Sequence, residues 1–283
     1  MLLELENVQK TYGDFHLNCS MKIEEGRIIG LIGANGAGKS TLFKAVLQLI
    51  YTDGGSIHIL GKGQEELTLQ DREDIGAQMA ASGFSSYLTI KKCIPILDRL
   101  YKRFDRERFI EACRKFDLPL DKLLKDFSTG MRAKFNVLVA MSHEAKLLLL
   151  DEPTSGIDVL ARRDLLDLFR DYMEPGNRAI LISSHISSDL EGLCDELYMI
   201  HHGEIILHED ADTLLDCYGL LKLTQEQYDQ LDKAYLSYAL KESYGYYCLT
   251  KERQFFLDNY PQFVIEKSNV DDILMIIEKG VAL

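Results

Sequence analysis

The 283-residue sequence contains no apolar run approaching the ~20 residues that a bilayer-spanning helix needs. Its first ten residues, MLLELENVQK, carry acids where a secretory signal has a positive region and an apolar core. Any role at a membrane is therefore expected to come through a partner. No Cys-x-x-Cys pair occurs. The six cysteines, Cys19, Cys93, Cys113, Cys194, Cys217 and Cys248, are scattered, which excludes a zinc ribbon or dithiol motif and suits free thiols in a reducing cytosol. Basic residues number 32 against 45 acidic ones, for a net charge of −13, and they gather in no one stretch. Such a chain repels a nucleic-acid backbone, so no nucleic-acid partner is expected. Internal repeats, low-complexity tracts and sustained heptads are also missing.

What is present has the balance of a globular protein: 46% hydrophobic and 27% charged residues, in a length that suits one large domain with a smaller appendage. Short alternating runs (LLELENV, MKIEEG, SIHILGK) predict antiparallel strands around the solidly apolar RIIGLIG, and TLFKAVLQLI has helical period. Residues from about 72 to 145 are expected to form a helical insert, DRERFIEACRKFDL and MRAKFNVLVAMS being its clearest amphipathic segments. From Lys146 an α/β rhythm follows: strand KLLLLD, helix VLARRDLLDLFRDYM, strand RAILISS, helix ISSDLEGLC and the paired strands ELYMIHHGEIILHED. That alternation argues for a mostly parallel sheet. Beyond Cys217 come Tyr-rich alternating runs (GLLKLT, YLSYALKES, YGYYCLT, FVIEKS) and two short helical patterns. The expected division is residues 1–216 as the main domain and 217–283 as a small α+β accessory domain.

Gly33 to Ser40, GANGAGKS, fits G-x-x-x-x-G-K-[ST] and lies between an apolar strand and a helix, the context this motif requires. Glycines let the backbone wrap phosphates, the amides at the helix start donate to them, Lys39 reaches the outer phosphates and Ser40 holds Mg²⁺. Leu147 to Leu150 deliver Asp151 and Glu152 to the end of a strand buried on both faces. Asp151 is placed to support Mg²⁺ and Glu152 to take a proton from an attacking water.

In order along the chain, GANGAGKST, FSTGM, LLLLDEP, SGID and the lone histidine of ISSH resemble an ATP-binding cassette (ABC) ATPase, over about Met1 to Asp210. The resemblance implies an α/β P-loop NTPase of ABC type, with an antiparallel β subdomain, a helical insert and the C-terminal α+β appendage. It further implies ATP hydrolysis with Mg²⁺, a second ABC ATPase subunit clamping ATP head to tail, and a separate transmembrane permease. The cassette is then expected in the cytoplasm, peripheral on the inner face of the membrane, where it drives transport. The FSTGM-type signature and the appendage look similar to small bacterial exporters.

Carried over residue by residue, the resemblance places Asn35, Gly36, Gly38 and Thr41 with Gly33, Lys39 and Ser40 around the phosphates. Tyr12 becomes the aromatic that stacks on adenine, and His185 the histidine that keeps Glu152 and the attacking water aligned. FSTGM departs from the usual LSGGQ at three positions, keeping Ser128 and Gly130, which would meet the γ-phosphate on the opposite subunit. Asp158 matches an acid through which one cassette touches the other, and it equally suits the start of the following helix. Counting back from Leu88-Thr89-Ile90, the glutamine that normally joins Mg²⁺ falls on Ala80; Gln78, two residues earlier, is the candidate ligand.

Two rival classes are weighed. Soluble members of this superfamily act on ribosomes or nucleic acid, but those relatives usually carry two cassettes or a long coiled coil, and the acidity here opposes both. A nucleotide or small-molecule kinase leaves FSTGM before LLLLDEP without explanation.

Overall fold

Four consecutive leucines can all be buried only where a strand is covered on both faces. In the computed structural model, which describes residues 1–79 and 83–283, Leu147 to Leu150 form such a strand and are fully buried. Leu147 and Leu149 enter one hydrophobic core, Leu148 and Leu150 the other. Successive strand residues face opposite sides, so one apolar run supplies both layers.

The chain opens with strands β1 (Leu3–Tyr12), β2 (Phe15–Ile23) and β3 (Ile28–Ile32), then helix α1 (Lys39–Val46). Strands β4 (Gly54–Ile59) and β5 (Lys62–Gly63), the one-turn helix α2 (Leu69–Arg72) and strand β6 (Ile75–Gln78) follow. Helices α3 (Ile90–Leu100), α4 (Arg106–Lys115) and α5 (Thr129–Met141) make up the insert. The α/β alternation resumes with β7 (Leu147–Asp151), α6 (Val159–Met173), β8 (Ala179–Ser184) and α7 (Ser187–Glu191). A hairpin, β9 (Glu196–His201) and β10 (Glu204–Asp210), and helix α8 (Ala211–Asp216) complete this part.

Ten strands join in the order β5-β4-β1-β2-β10-β9-β3-β8-β7-β6. The β1, β2 and β4 strands pair antiparallel, whereas β3 runs parallel to β8 and β9, and β7 parallel to β6 and β8. The helical insert begins later than residue 72, because Ile75–Gln78 pairs with β7 as an edge strand. Four residues interrupted by a glycine carry too little periodicity to announce a strand.

The accessory part holds β11 (Gly219–Leu223), α9 (Gln225–Gln230), β12 (Tyr238–Glu242), β13 (Gly245–Thr250) and α10 (Arg253–Asn259). It ends with β14 (Val264–Lys267), α11 (Val270–Lys279) and the short β15 (Val281–Ala282), its strands ordered β14-β11-β13-β12-β15. The four runs read as strands are there, and the helices number three instead of two. One sheet face covers a local core of Leu221, Leu223, Cys248 and Phe256. From the other side Leu220, Leu249, Val270, Ile273 and Ile276 enter the same core as Leu190, Leu193 and Leu197 of the cassette. Burying such side chains is worth roughly 1.5–3 kcal/mol each. The accessory part is thus anchored by shared packing as well as by the chain connection.

All six cysteines are free, and only Cys217 is exposed. Among the described residues no helix is long and apolar enough to cross a membrane.

Candidate active site

The phosphate loop leaves the end of β3 under two backbone constraints. Gly33 passes so close to β9 that a Cβ there would lie 2.3 Å from the carbonyl oxygen of Ile200. Gly38, the N-cap of α1, has φ of 119°, a conformation that side chains resist. The resulting turn aims the start of α1 at a cavity of about 390 Å³. Asn35, Gly36, Gly38, Lys39, Ser40 and Thr41 line it from the loop side, and Glu152, Ser155 and His185 from the ends of β7 and β8.

Lys39 is buried, in contrast to the solvated loop lysine that a glycine-rich surface turn would carry. Its Nζ donates to the carbonyl oxygens of Gly33 at 2.6 Å and Ala34 at 3.3 Å, and lies 3.5 Å from Glu152 Oε1. An ammonium taken out of water needs such partners.

Beneath it, both oxygens of the buried Asp151 carboxylate accept hydroxyls: Ser40 Oγ on Oδ2 and Ser183 Oγ on Oδ1, each at 2.7 Å. Ser183 Oγ also accepts the backbone N–H of Glu152 at 3.0 Å. Glu152 itself has φ of 53°, a left-handed value that costs a non-glycine residue energy. Its Oε2 pairs with His185 Nδ1 and accepts the His185 backbone N–H at 3.2 Å. An ionised carboxylate only accepts, so against it the Nδ1 atom carries the hydrogen.

Tyr12 and Gln78 stand apart from this cavity. Tyr12 and Phe15 are cross-strand partners in the β1–β2 hairpin, and Phe15 is the one that lines the cavity. Tyr12 is 49% exposed, with Lys10 Nζ 5.2 Å from its ring centroid. Gln78 is buried at the end of β6 with no hydrogen-bond partner for its Oε1. It lines a second cavity, of about 420 Å³, between β6 and the insert, so of the three expected metal ligands only Ser40 and Asp151 come together. Ala80 lies outside the described residues.

Ser128, Gly130 and Asp158 also lie outside the cavity lining. Ser128 caps α5, its Oγ accepting the Met131 N–H at 3.2 Å, and Gly130 lies against the Gly156 carbonyl. Asp158 caps α6, accepting the Ala161 N–H at 3.0 Å, a bond that holds its carboxyl below the usual range. The signature and the SGID loop therefore adjoin within one chain. Sequence reasoning missed Phe15, Ser155 and Ser183. Ser155 stands in the SGID motif and Ser183 two residues before His185, the signals that mark them.

The fold and the site together define a nucleotide-binding P-loop ATPase built on a mixed sheet whose parallel strands β3, β7 and β8 lead into the site. A sequence profile of the family described as ABC transporter matches residues 17–155. The lantibiotic transport ATP-binding protein SrtF of Streptococcus pyogenes is 32% identical over 219 residues, covering 75% of this chain and 92% of the relative. The uncharacterized ABC transporter ATP-binding protein YdbJ of Bacillus subtilis is 32% identical over 208 residues, covering 72% of this chain and 68% of the relative. A solved structure of the ATP-binding subunit of an ABC transporter superposes with a TM-score of 0.68 at 26% identity, covering 76% of this chain and 92% of that one. The chain belongs to the ABC transporter ATP-binding proteins: it is an ATP-binding and ATP-hydrolysing subunit of an ABC transporter.

Proposed function

We propose that Glu152 is the catalytic carboxylate of ATP hydrolysis, that His185 holds it toward the attacking water, and that Lys39 carries the charge of the terminal phosphates. The observation that carries this reading is the Glu152 side chain, turned into the phosphate-loop cavity by its left-handed backbone and held between His185 and Lys39. A carboxylate so placed takes a proton as water attacks, while the imidazole fixes its direction. Lys39 stabilises charge that builds on the transferred phosphoryl group.

Ser40 and Asp151 fit Mg²⁺: a hydroxyl and a carboxylate 2.7 Å apart are hard oxygen donors of the kind this ion takes together with water and phosphate oxygens. Mg²⁺ bound with ATP neutralises charge on the phosphate oxygens. Phe15 and Tyr12 offer the adenine an aromatic edge at the hairpin.

The cassette is proposed to act in a pair. Its SGID loop runs from Ser155, at its own cavity, to Gly156, against the signature glycine Gly130. The exposed start of α5, capped by Ser128, is a helix N-terminus suited to phosphate, and a second cassette would bring its γ-phosphate there. The half-open second cavity, with Phe84 and Leu88 inside and Ile96 and Leu100 exposed at its rim, suits a cytoplasmic segment of a transmembrane permease. Export is the direction proposed, with the subunit on the inner face of the membrane, in keeping with the lantibiotic transport named for SrtF. Residues 217–283 are proposed as a regulatory accessory unit.

The test is Glu152→Gln, which keeps shape and hydrogen bonding but removes the basic carboxylate. ATP binding persists, turnover falls at least ~100-fold and the closed dimer accumulates in light scattering with Mg-ATP. Adding Ser128→Arg blocks that dimer. Undiminished turnover in Glu152→Gln, alone and with its permease, would overturn the assignment.

A further inference from the structure

The helix that follows His185, α7, is only five residues long, and each of its acids points to a different part of the molecule. Asp189, buried, accepts the hydroxyl of Thr154 at 2.8 Å, and Thr154 lies two residues after Glu152. Arg162 Nη1 of α6 stands 3.7 Å from the same carboxylate. Glu191 turns the other way, and its Oε1 accepts the backbone N–H of Val270, the first residue of the accessory helix α11, at 2.8 Å. Between the two acids, Leu190 is fully buried in the core that Val270, Ile273 and Ile276 of α11 also enter. A second contact joins α11 to the ten-stranded sheet, His201 Nδ1 of β9 standing 3.6 Å from Glu278 Oε1.

These contacts tie both ends of α7. At its start His185 grips Glu152 through both side chain and backbone, and at its end Glu191 grips α11. A helix of little more than one turn has no interior in which to absorb a shift at one end, and closely packed side chains transmit displacement. We propose that Glu191 is a positioning residue for hydrolysis, and that the accessory domain sets the turnover rate by fixing α7, and with it the alignment of His185 and Glu152. The proposal rests on the assignment of those two residues as the hydrolytic pair.

The chemistry of the link sets what it tolerates. A carboxylate facing the N–H groups left without intrahelical partners at the start of a helix gains from both the hydrogen bond and the helix dipole. Glutamine keeps an acceptor at the same reach, whereas alanine leaves the Val270 N–H without its partner and the end of α7 without its tether.

The test measures kcat and KM for ATP separately, in the full-length chain with its partner cassette or permease where activity requires them. Glu191→Ala should lower kcat about ten- to a hundredfold, the cost of a misaligned catalytic group, with KM and ATP binding near wild type. Glu191→Gln should restore kcat to within about twofold, as a neutral surface change would. Amide exchange over residues 185–193 should rise in the alanine variant and not in the glutamine one. Should Glu191→Ala fail to fold, Asn269→Ala, which removes the N-cap of α11, loosens the same junction more gently and should lower kcat in the same direction. A wild-type kcat in the folded alanine variant, or a loss that glutamine does not restore, overturns the proposal. Glu152→Gln serves as the parallel control. If it abolishes turnover while Glu191→Ala leaves kcat at the wild-type value, only the link fails, and if it leaves turnover intact, the active-site assignment fails first.

Discussion

Ser183 Oγ donates to Asp151 Oδ1 at 2.7 Å while accepting the backbone N–H of Glu152 at 3.0 Å. One hydroxyl thereby fixes both acids at the end of β7, from the neighbouring strand β8, with which β7 pairs in parallel register at Asp151↔Ser183. Replacing it by alanine leaves a buried carboxylate oxygen and a backbone donor without that partner. Ser183→Ala is expected to lower unfolding free energy by about 1–3 kcal/mol in urea melts. Turnover should fall as well, since Asp151 and Glu152 lose their common brace. A variant with wild-type melting and wild-type turnover would remove Ser183 from the site.

Lys39→Ala removes the buried ammonium that lies between the Gly33 carbonyl and the Glu152 carboxylate. The glycines that shape the loop remain, so the far-UV circular dichroism should be that of wild type. Turnover should fall at least ~100-fold, the scale seen when one preorganised charge-stabilising donor is deleted. Equal activity in the two proteins would reject the phosphate role of this lysine.

His143, at the junction of the insert with β6, stacks on Tyr101 with ring centroids 3.9 Å apart, and its Nε2 lies 3.3 Å from the Ile75 carbonyl. Burial holds its proton affinity below the usual histidine value, so the folded protein protonates it less readily than the unfolded chain does. The unfolded histidine titrates near pH 6.5 and takes up its proton at a higher pH than the folded one. Stability from this group is therefore complete above about pH 6.5 and is lost as pH falls below it. Melting temperature should drop from about pH 7 to about pH 5, and His143→Phe, which keeps a stacked ring but cannot protonate, should flatten part of that drop. An unchanged slope in the variant would show that the histidine does not contribute.

The parts of this protein that the sequence determined by itself are those written in contiguous residues. GANGAGKS specifies the tight loop that opens α1 because glycine conformations and the helix start are local properties, and LLLLDE specifies a doubly covered strand ending in two acids because burial on both faces needs an unbroken apolar run. The strand runs after Cys217 were legible for the same reason, each alternating over a few residues.

What only the tertiary structure decided depends on register and packing between segments far apart in the chain. The choice of Phe15 over Tyr12 as the cavity lining follows from how one hairpin lies against Gly38. The direction of Gln78, toward the groove beside the insert, follows from its place at the end of an edge strand that four residues could not announce. Ser183 braces Asp151, 32 residues earlier, because β7 and β8 pair in one register. Glu191 reaches Val270, 79 residues later, because the apolar face of α11 is buried against α7. Local sequence sets what each element is, and the free energy of burying apolar faces against one another sets which polar groups finally meet.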